Sequence, residues 1–515
     1  MSGRAAWLCV AAVLAAHAAG FVAWWPETVT IADEVRYVDQ ARWFAQGRVM
    51  GLAPALSGGP EREYRPSQYP PLTSILQAPL VLLGGPRAAA LLSMLCLLAA
   101  VALAGVWLAQ SGRSPLWALL ILSYPPCLVL GRVAMSDAPN LLFVTVALWL
   151  FFRGADRGDA WWLLAGAVAG ISLLVRETNV VLFVPLAVGV LVRRDKGTLW
   201  LLGGFLAGLA VWAGCKLAVF GSPFFFRDTG YGFSLASGWT NLPTYAAGLL
   251  VFVPCGLAGV FSWRGRYRAE VITATLALTL FFAAFDYTGS ESGLAERLVL
   301  VPRYLMPLLP LLVLGVADLV ERLVERSGAG CGVQQRAERT DVNATAGCGV
   351  QPLVEPSRFG ATAGSCGSRR PRGLVGWAFV LAVLVAVVAS HAALGVRGAV
   401  RAAAARDVAA GLDPRVPLLV DGPAAFKLAN PLTGFFPVGA LSGFPPEQAS
   451  ALVPADGVLQ VLSVEREVSP HALAARDASR AWLERMGARC PPRSLLDRTY
   501  GSGERVRVWA LGPCR

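Results

Sequence analysis

The chain has 515 residues, 55% of them hydrophobic and only 15% charged, with a mean hydropathy of +0.55. Soluble domains carry about 25% charged residues, so this balance argues for lipid as the solvent of most of the chain and against a water-soluble enzyme. The net charge of +12 does not mark a nucleic-acid binder, because the Lys and Arg lie scattered between apolar runs and form no recognition motif.

In chain order, Met1–Trp25 opens with Arg4 and an Ala-rich apolar stretch. A cleaved signal would end on small residues; Trp24 and Trp25 stand there, so a retained span over 5–25 is predicted. The loop that follows reads Thr30-Ile-Ala-Asp33-Glu34-Val-Arg36-Tyr37-Val-Asp39. Tyr69–Gly85 is apolar but begins Tyr-Pro-Pro, which removes backbone donors; an interfacial or re-entrant helix is expected. Further apolar runs at 88–109, 115–131, 138–152, 160–175, 178–192, 198–220, 246–263, 270–286, 303–320 and 374–394 bring the spans to about eleven.

Charge gives these spans a direction. One alternating set of loops holds Arg113, Arg153, Arg157, Arg193, Arg194, Lys196, Arg264, Arg266 and Arg268. The other holds Asp33, Glu34, Asp39, Asp137, Glu177, Asp228, Glu291 and Glu296. Short basic loops stay cytoplasmic, which puts the N-terminus inside and the acidic loops outside. Eleven spans then leave the C-terminal region outside as well.

Residues 321–373 form a long inner loop in which Ala329-Gly-Cys-Gly-Val-Gln334 recurs as Ala346-Gly-Cys-Gly-Val-Gln351. Its small and polar residues bury too little apolar surface to order it, and its Asn343-Ala-Thr sequon falls on the inner side. The tail, 395–515, alternates helical Val400–Gly411 and Ala472–Gly487 with strand-like Val416–Asp421, Val458–Val464 and Val506–Ala510, the pattern of a small α/β domain. The expected architecture is therefore an all-α polytopic membrane region over 1–320, the inner loop, a last span, and this extracytoplasmic domain. Cys490 and Cys514 share the tail and could pair there. His17, His391 and His471 are too far apart in sequence to suggest a metal site.

Charge near lipid is costly and usually functional. Asp33 could be a general base taking a proton from an acceptor hydroxyl, or Asp33 and Glu34 could be acids in a first helical turn, where the dipole favours them. Asp137, before Ala138-Pro139, could be a second acid that positions an acceptor or a divalent cation, or a helix cap. Arg176 and Glu177 fill a very short outer turn; a mutual surface pair is the plainer reading. Arg303-Tyr304 opens a span at headgroup depth, where Arg can hold phosphate or merely snorkel. Lys216, near the outer end of its span, is another candidate phosphate contact. Acids and Arg thus converge on one side of the membrane, whereas a transporter or lipid-sugar flippase concentrates ionisable groups near the midplane. A non-catalytic scaffold is the third reading, and the retained Asp33, Asp137 and Arg303 count against it.

Taken in order, Asp33-Glu34, Tyr69-Pro70-Pro71-Leu72, Met135-Ser-Asp137-Ala-Pro139, Arg176-Glu177-Thr178 and Arg303-Tyr304-Leu-Met-Pro307-Leu-Leu-Pro310 resemble the GT-C superfamily. Within it, the match is to the dolichyl-phosphate-mannose-protein mannosyltransferase and bacterial aminoarabinose-transferase group. The resemblance covers roughly residues 5–320 and implies an inverting transfer of a sugar from a polyprenyl-phosphate donor to an unidentified acceptor. It makes Asp33, with Glu34 beside it, the first-loop carboxylate taken as catalytic base, Asp137 an acid near the acceptor, and Arg303-Tyr304 a phosphate contact. Arg36, Tyr37, Tyr69, Arg132, Arg176 and Glu177 would line the substrate site. Some relatives carry an acid and a Lys just before the Pro-Pro, contributing to metal and phosphate binding. Here Gln68 and Tyr69 stand there, so metal dependence stays open and Arg62 or Arg65 would supply the charge.

Overall fold

Each apolar run folds as a helix because, in hydrocarbon, a backbone must satisfy its own hydrogen bonds. The computed structural model describes residues 3–49, 51–53, 62–64, 69–225, 232–285, 301–324, 370–413, 415–429, 439–441, 457–465, 470–500 and 504–513. Most of the inner loop, Arg65 and Cys514 lie outside the described residues.

Helix α1 (Gly3–Ala23) leads into α2 (Ala32–Ala45), a two-stranded ribbon of β1 (Gly51–Ala53) and β2 (Arg62–Tyr64), and α3 (Leu72–Gly84), which packs on α2. The helices α4 (Ala90–Gln110), α5 (Leu120–Ser123), α6 (Pro125–Leu130), α7 (Asp137–Arg157), α8 (Asp159–Ser172), α9 (Asn179–Val192) and α10 (Thr198–Phe220) follow. Then come α11 (Leu235–Phe252), α12 (Gly256–Phe261), α13 (Arg268–Ala284) and α14 (Pro302–Val324). Among the described residues, six helices are long and apolar enough to cross a membrane: α1, Pro86–Gln110, α7, α10, α14 and Val375–Gly411. The other expected spans correspond to shorter or broken helices.

Two expected spans are interrupted where proline removes a donor. The 115–131 run is a short 3-10 turn, then α5 and α6, parted at Tyr124 before Pro125-Pro126. Side chains meet carbonyls here: Ser123 Oγ donates to Phe252 O at 2.9 Å and Tyr124 OH to Pro302 O at 2.7 Å. The 246–263 run starts earlier than expected, at Leu235, capped by Ser234 Oγ accepting from Ser237 N, and breaks around Pro254.

Small residues set the closest helix contact. A Cβ at Gly166 would lie 2.1 Å from Leu201 O, and one at Gly204 2.0 Å from Leu163 O, so α8 and α10 touch backbone to backbone, as small-residue stripes allow in membranes. The basic end of the bundle is closed by Arg113–Asp318 at 2.5 Å and Arg193–Glu270 at 2.7 Å.

The last span and the expected helix at 400–411 are one element, α15 (Arg370–Gly411). It feeds a sheet of order β4-β3-β5-β7-β6, formed by β3 (Leu418–Asp421), β4 (Gly439–Ala440), β5 (Leu459–Glu465), β6 (Pro492–Thr499) and β7 (Arg505–Leu511). Strand alternation sends Leu418, Val420 and Leu462 to one face, against Ala404, Ala405 and Val408 of α15. Leu419, Leu459 and Val461 go to the other, against Trp482 and Met486 of α17 (Pro470–Gly487). The expected α/β domain is thus a three-layer sandwich, with α16 (Gly422–Leu428) after β3. Strand β6 was not expected; it is an exposed edge strand bearing Arg493, Asp497 and Arg498, with little apolar alternation. Cys490 is buried and disulfide-bonded.

Candidate active site

The acidic end of the bundle gathers side chains from segments spread between α2 and α14. Helix α2 begins shortly after α1 ends, with Asp33 in its first turn. The Asp33 carboxylate lies 3.9 Å from the Arg303 guanidinium at the start of α14; the Asp33 side chain is 35% exposed and that of Arg303 only 6%. Arg303 also donates to Tyr304 OH at 3.2 Å. The Tyr304 ring stacks on Phe282 at 4.8 Å and lies 5.0 Å from the Arg303 guanidinium and 5.5 Å from that of Arg176. Two cations from distant loops therefore share one aromatic face system.

Arg176 donates to Asp137 Oδ1 at 2.6 Å and to Ser136 Oγ at 3.3 Å. Asp137 is buried, and its Oδ2 has no hydrogen-bond partner among the described residues. Tyr37 OH donates to Ser136 Oγ at 2.9 Å, while the Tyr37 and Tyr69 rings sit 4.7 Å apart. Arg176 and Glu177 do not pair with each other. Glu177 binds Lys216, whose ammonium also lies 4.8 Å from the Trp212 ring. Arg36 is exposed on α2.

Two candidates are engaged elsewhere. Glu34 is 3% exposed and accepts from Ala134 N at 3.0 Å and Thr30 N at 2.9 Å. It ties α2 to the turn before α7. Arg132, from the same turn, reaches His391 and the carbonyl of Trp24. Sequence reasoning missed Ser136 as a junction between Tyr37 and Arg176; a lone Ser before a helix carries no signal until its partners are known.

Burial pushes the Glu34 carboxyl up to about 7, against the opposing pull of the Ala134 and Thr30 N–H groups and of Lys427 on α16, a helix that packs against α2. The folded chain holds this proton to higher pH than the unfolded one, so its stability falls as pH rises from 4.5 to about 7. Glu34→Gln is expected to flatten the dependence of detergent-solubilised Tm on pH between 4.5 and about 7. Parallel wild-type and variant curves would refute it.

The residues before the Pro-Pro turn, Gln68 and Tyr69, offer an amide and a phenol in place of an acid and a Lys. Among the described residues, no three His, Cys, Asp or Glu gather in a metal-holding group.

Residues 68–213 match the family model described as dolichyl-phosphate-mannose-protein mannosyltransferase. This stretch includes Asp137 and Arg176 but neither Asp33 nor Arg303. In fold, the chain is similar to the crystal structure of ArnT from Cupriavidus metallidurans bound to undecaprenyl phosphate. That likeness has a TM-score of 0.54 at 17% identity and covers 99% of this chain and 98% of ArnT. The apo state of the same ArnT gives 0.53 at 18% identity over 98% of each chain. No curated protein matches the chain significantly in sequence. The fold is ArnT-like, as expected of the bacterial aminoarabinose-transferase group that the motifs resemble, and the likeness extends over the tail, for which the motifs offered no counterpart.

Proposed function

We propose that this chain is a membrane glycosyltransferase that moves a sugar, with inversion, from a polyprenyl-phosphate donor to an acceptor hydroxyl at the outer face of the membrane. The observation that carries the reading is the approach of Asp33 to Arg303 within 3.9 Å at the acidic end of the bundle. A base and a phosphate-binding cation meet there at headgroup depth. The fold neighbour bound to undecaprenyl phosphate supports the donor class.

The chemistry asks little covalent work of the protein. The acceptor oxygen attacks C1 of the sugar opposite the phosphate, and its proton passes to Asp33, the general base. The C1–O bond to phosphate breaks as the new bond forms, and the electron pair leaves with the phosphate. Arg303, with Tyr304, stabilises that charge through hydrogen bonds that strengthen as it develops. Arg65 and Lys216 are assigned to the same phosphate side. Asp137 offers its unpaired Oδ2 to the acceptor, and Arg176 holds it in place. Tyr37, Tyr69 and Arg36 border the sugar, and Glu177 anchors Lys216. Glu34 contributes by fixing α2 to the 131–136 turn. The Arg-rich end faces the cytoplasm with the N-terminus, and the tail domain is extracytoplasmic.

The purified protein is expected to bind undecaprenyl phosphate saturably. Arg303→Ala should weaken that binding at least tenfold, about 1.4 kcal/mol, and Arg113→Ala, at the opposite end, should leave it unchanged. Equal binding by the Arg303 variant and the wild type would remove the phosphate site from this end of the bundle.

A further inference from the structure

Away from the Asp33–Arg303 pair, the bundle buries a second polar cluster. Arg132 is 5% exposed, and among the described residues no carboxylate pairs with it. One guanidinium nitrogen meets His391 Nδ1 on α15, and the other donates to the carbonyl of Trp24, just past the end of α1. His391 Nε2 lies 3.1 Å from His17 Nδ1 on α1; both imidazoles are buried. The first span, the last span and the turn before α7 therefore meet at one point.

The direction of these bonds follows from chemistry. A guanidinium only donates, so His391 Nδ1 must carry a lone pair. In the neutral imidazole, Nε2 then bears the hydrogen and donates to His17 Nδ1. Two glycines let the spans approach closely enough for this. A Cβ at Gly20 would lie 2.8 Å from the His391 ring, and one at Gly395 would lie 2.3 Å from the Trp24 ring.

The turn that Arg132 anchors carries Ser136 and leads into Asp137. Val133, Ala134 and Met135 pack into buried apolar clusters, and further buried polar bonds fix the turn's backbone. Ser93 Oγ donates to Val133 O at 2.6 Å, Glu34 Oε1 accepts from Ala134 N at 3.0 Å, and Tyr37 OH donates to Ser136. Ionisable groups at this depth are expensive unless they do a job. An apolar contact would join the spans at less cost.

We propose that Arg132, His391 and His17 are positioning residues: a neutral imidazole relay from the first and last spans clamps the 131–136 turn so that Ser136 and Asp137 meet Arg176. The assignment rests on the glycosyltransferase reading. It makes the chain's last span, and not only its first 320 residues, part of the site.

The test compares His391→Phe, which fills the space without an acceptor, with His391→Gln, which restores an acceptor for Arg132. Both are made in the full chain. Turnover is read with undecaprenyl-phosphate-mannose in membranes, and hydrogen exchange of residues 131–136 is read on the same proteins after purification. His391→Phe should lower kcat at least tenfold with donor KM within twofold, and raise exchange in the turn at least tenfold. His391→Gln should return both readouts to within about threefold of wild type. If His391→Phe fails to accumulate, His17→Phe and His17→Gln are compared in the same way, with the same ordering expected. Equal behaviour of the Phe and Gln variants, or a loss confined to KM, overturns the relay. A wild-type chain inactive towards polyprenyl-phosphate sugars would overturn the functional reading, while the exchange comparison still decides whether the relay holds the turn.

Discussion

Asp33→Asn membranes are expected to hold wild-type amounts of folded protein and to transfer sugar at least about a hundredfold more slowly, the usual contribution of a positioned base. The substitution keeps shape and removes both the proton acceptor and the charge. Stability should change by less than about 1 kcal/mol, because a partly exposed pair at 3.9 Å contributes little. Binding gives an independent sign. Loss of a negative charge beside the phosphate site should leave undecaprenyl phosphate bound as tightly as in wild type, or more tightly, whereas Arg303→Ala binds it more weakly. A variant that transfers at the wild-type rate excludes Asp33 as the base.

Arg176→Ala is expected to produce the largest loss of stability, about 3–5 kcal/mol, because it strands the Asp137 carboxylate. The Asp137 side chain is 1% exposed, its Oδ1 is bonded by Arg176 and its Oδ2 has no partner among the described residues. The guanidinium also lies over Tyr304, so its removal loosens Arg303 as well. The double variant Arg176→Ala/Asp137→Asn separates the two effects. It should recover much of the thermal stability, since the buried charge is gone, while transfer stays low. Equal Tm values for the single and double variants would show that the ion pair does not hold this turn.

The spans were legible because hydropathy is a local property of the chain. Thr198–Phe220 was read to its ends, and Asp137 was correctly placed at the start of a helix. The breaks at Tyr124 and around Pro254 were less legible, although Pro125-Pro126 stood in the run; a hydropathy window averages over the prolines. The juxtaposition of Asp33 with Arg303 was legible only as a shared membrane side, since loop charges set topology but not distance. His17 and His391, 374 residues apart, carry no ligand spacing and so give no local sign of their pairing. The better signal was an ionisable group inside an apolar run. Arg176 and Glu177 showed the same limit: adjacent opposite charges suggest a mutual pair, yet the packing hands Arg176 to Asp137 and Glu177 to Lys216.

Helix α15 runs unbroken for 42 residues from the bilayer into the sandwich it supports. Such a mast has no swivel, so the sheet inherits whatever inclination the stalk adopts in its lipid. Long spans lean to match bilayer thickness. Over the stretch from His391 to Gly411, about 30 Å of helix, a 10° lean carries the far end sideways by about 5 Å. Because α16 rests on the helix that bears Asp33, the composition of the surrounding bilayer becomes an input to the spacing of Asp33 and Arg303.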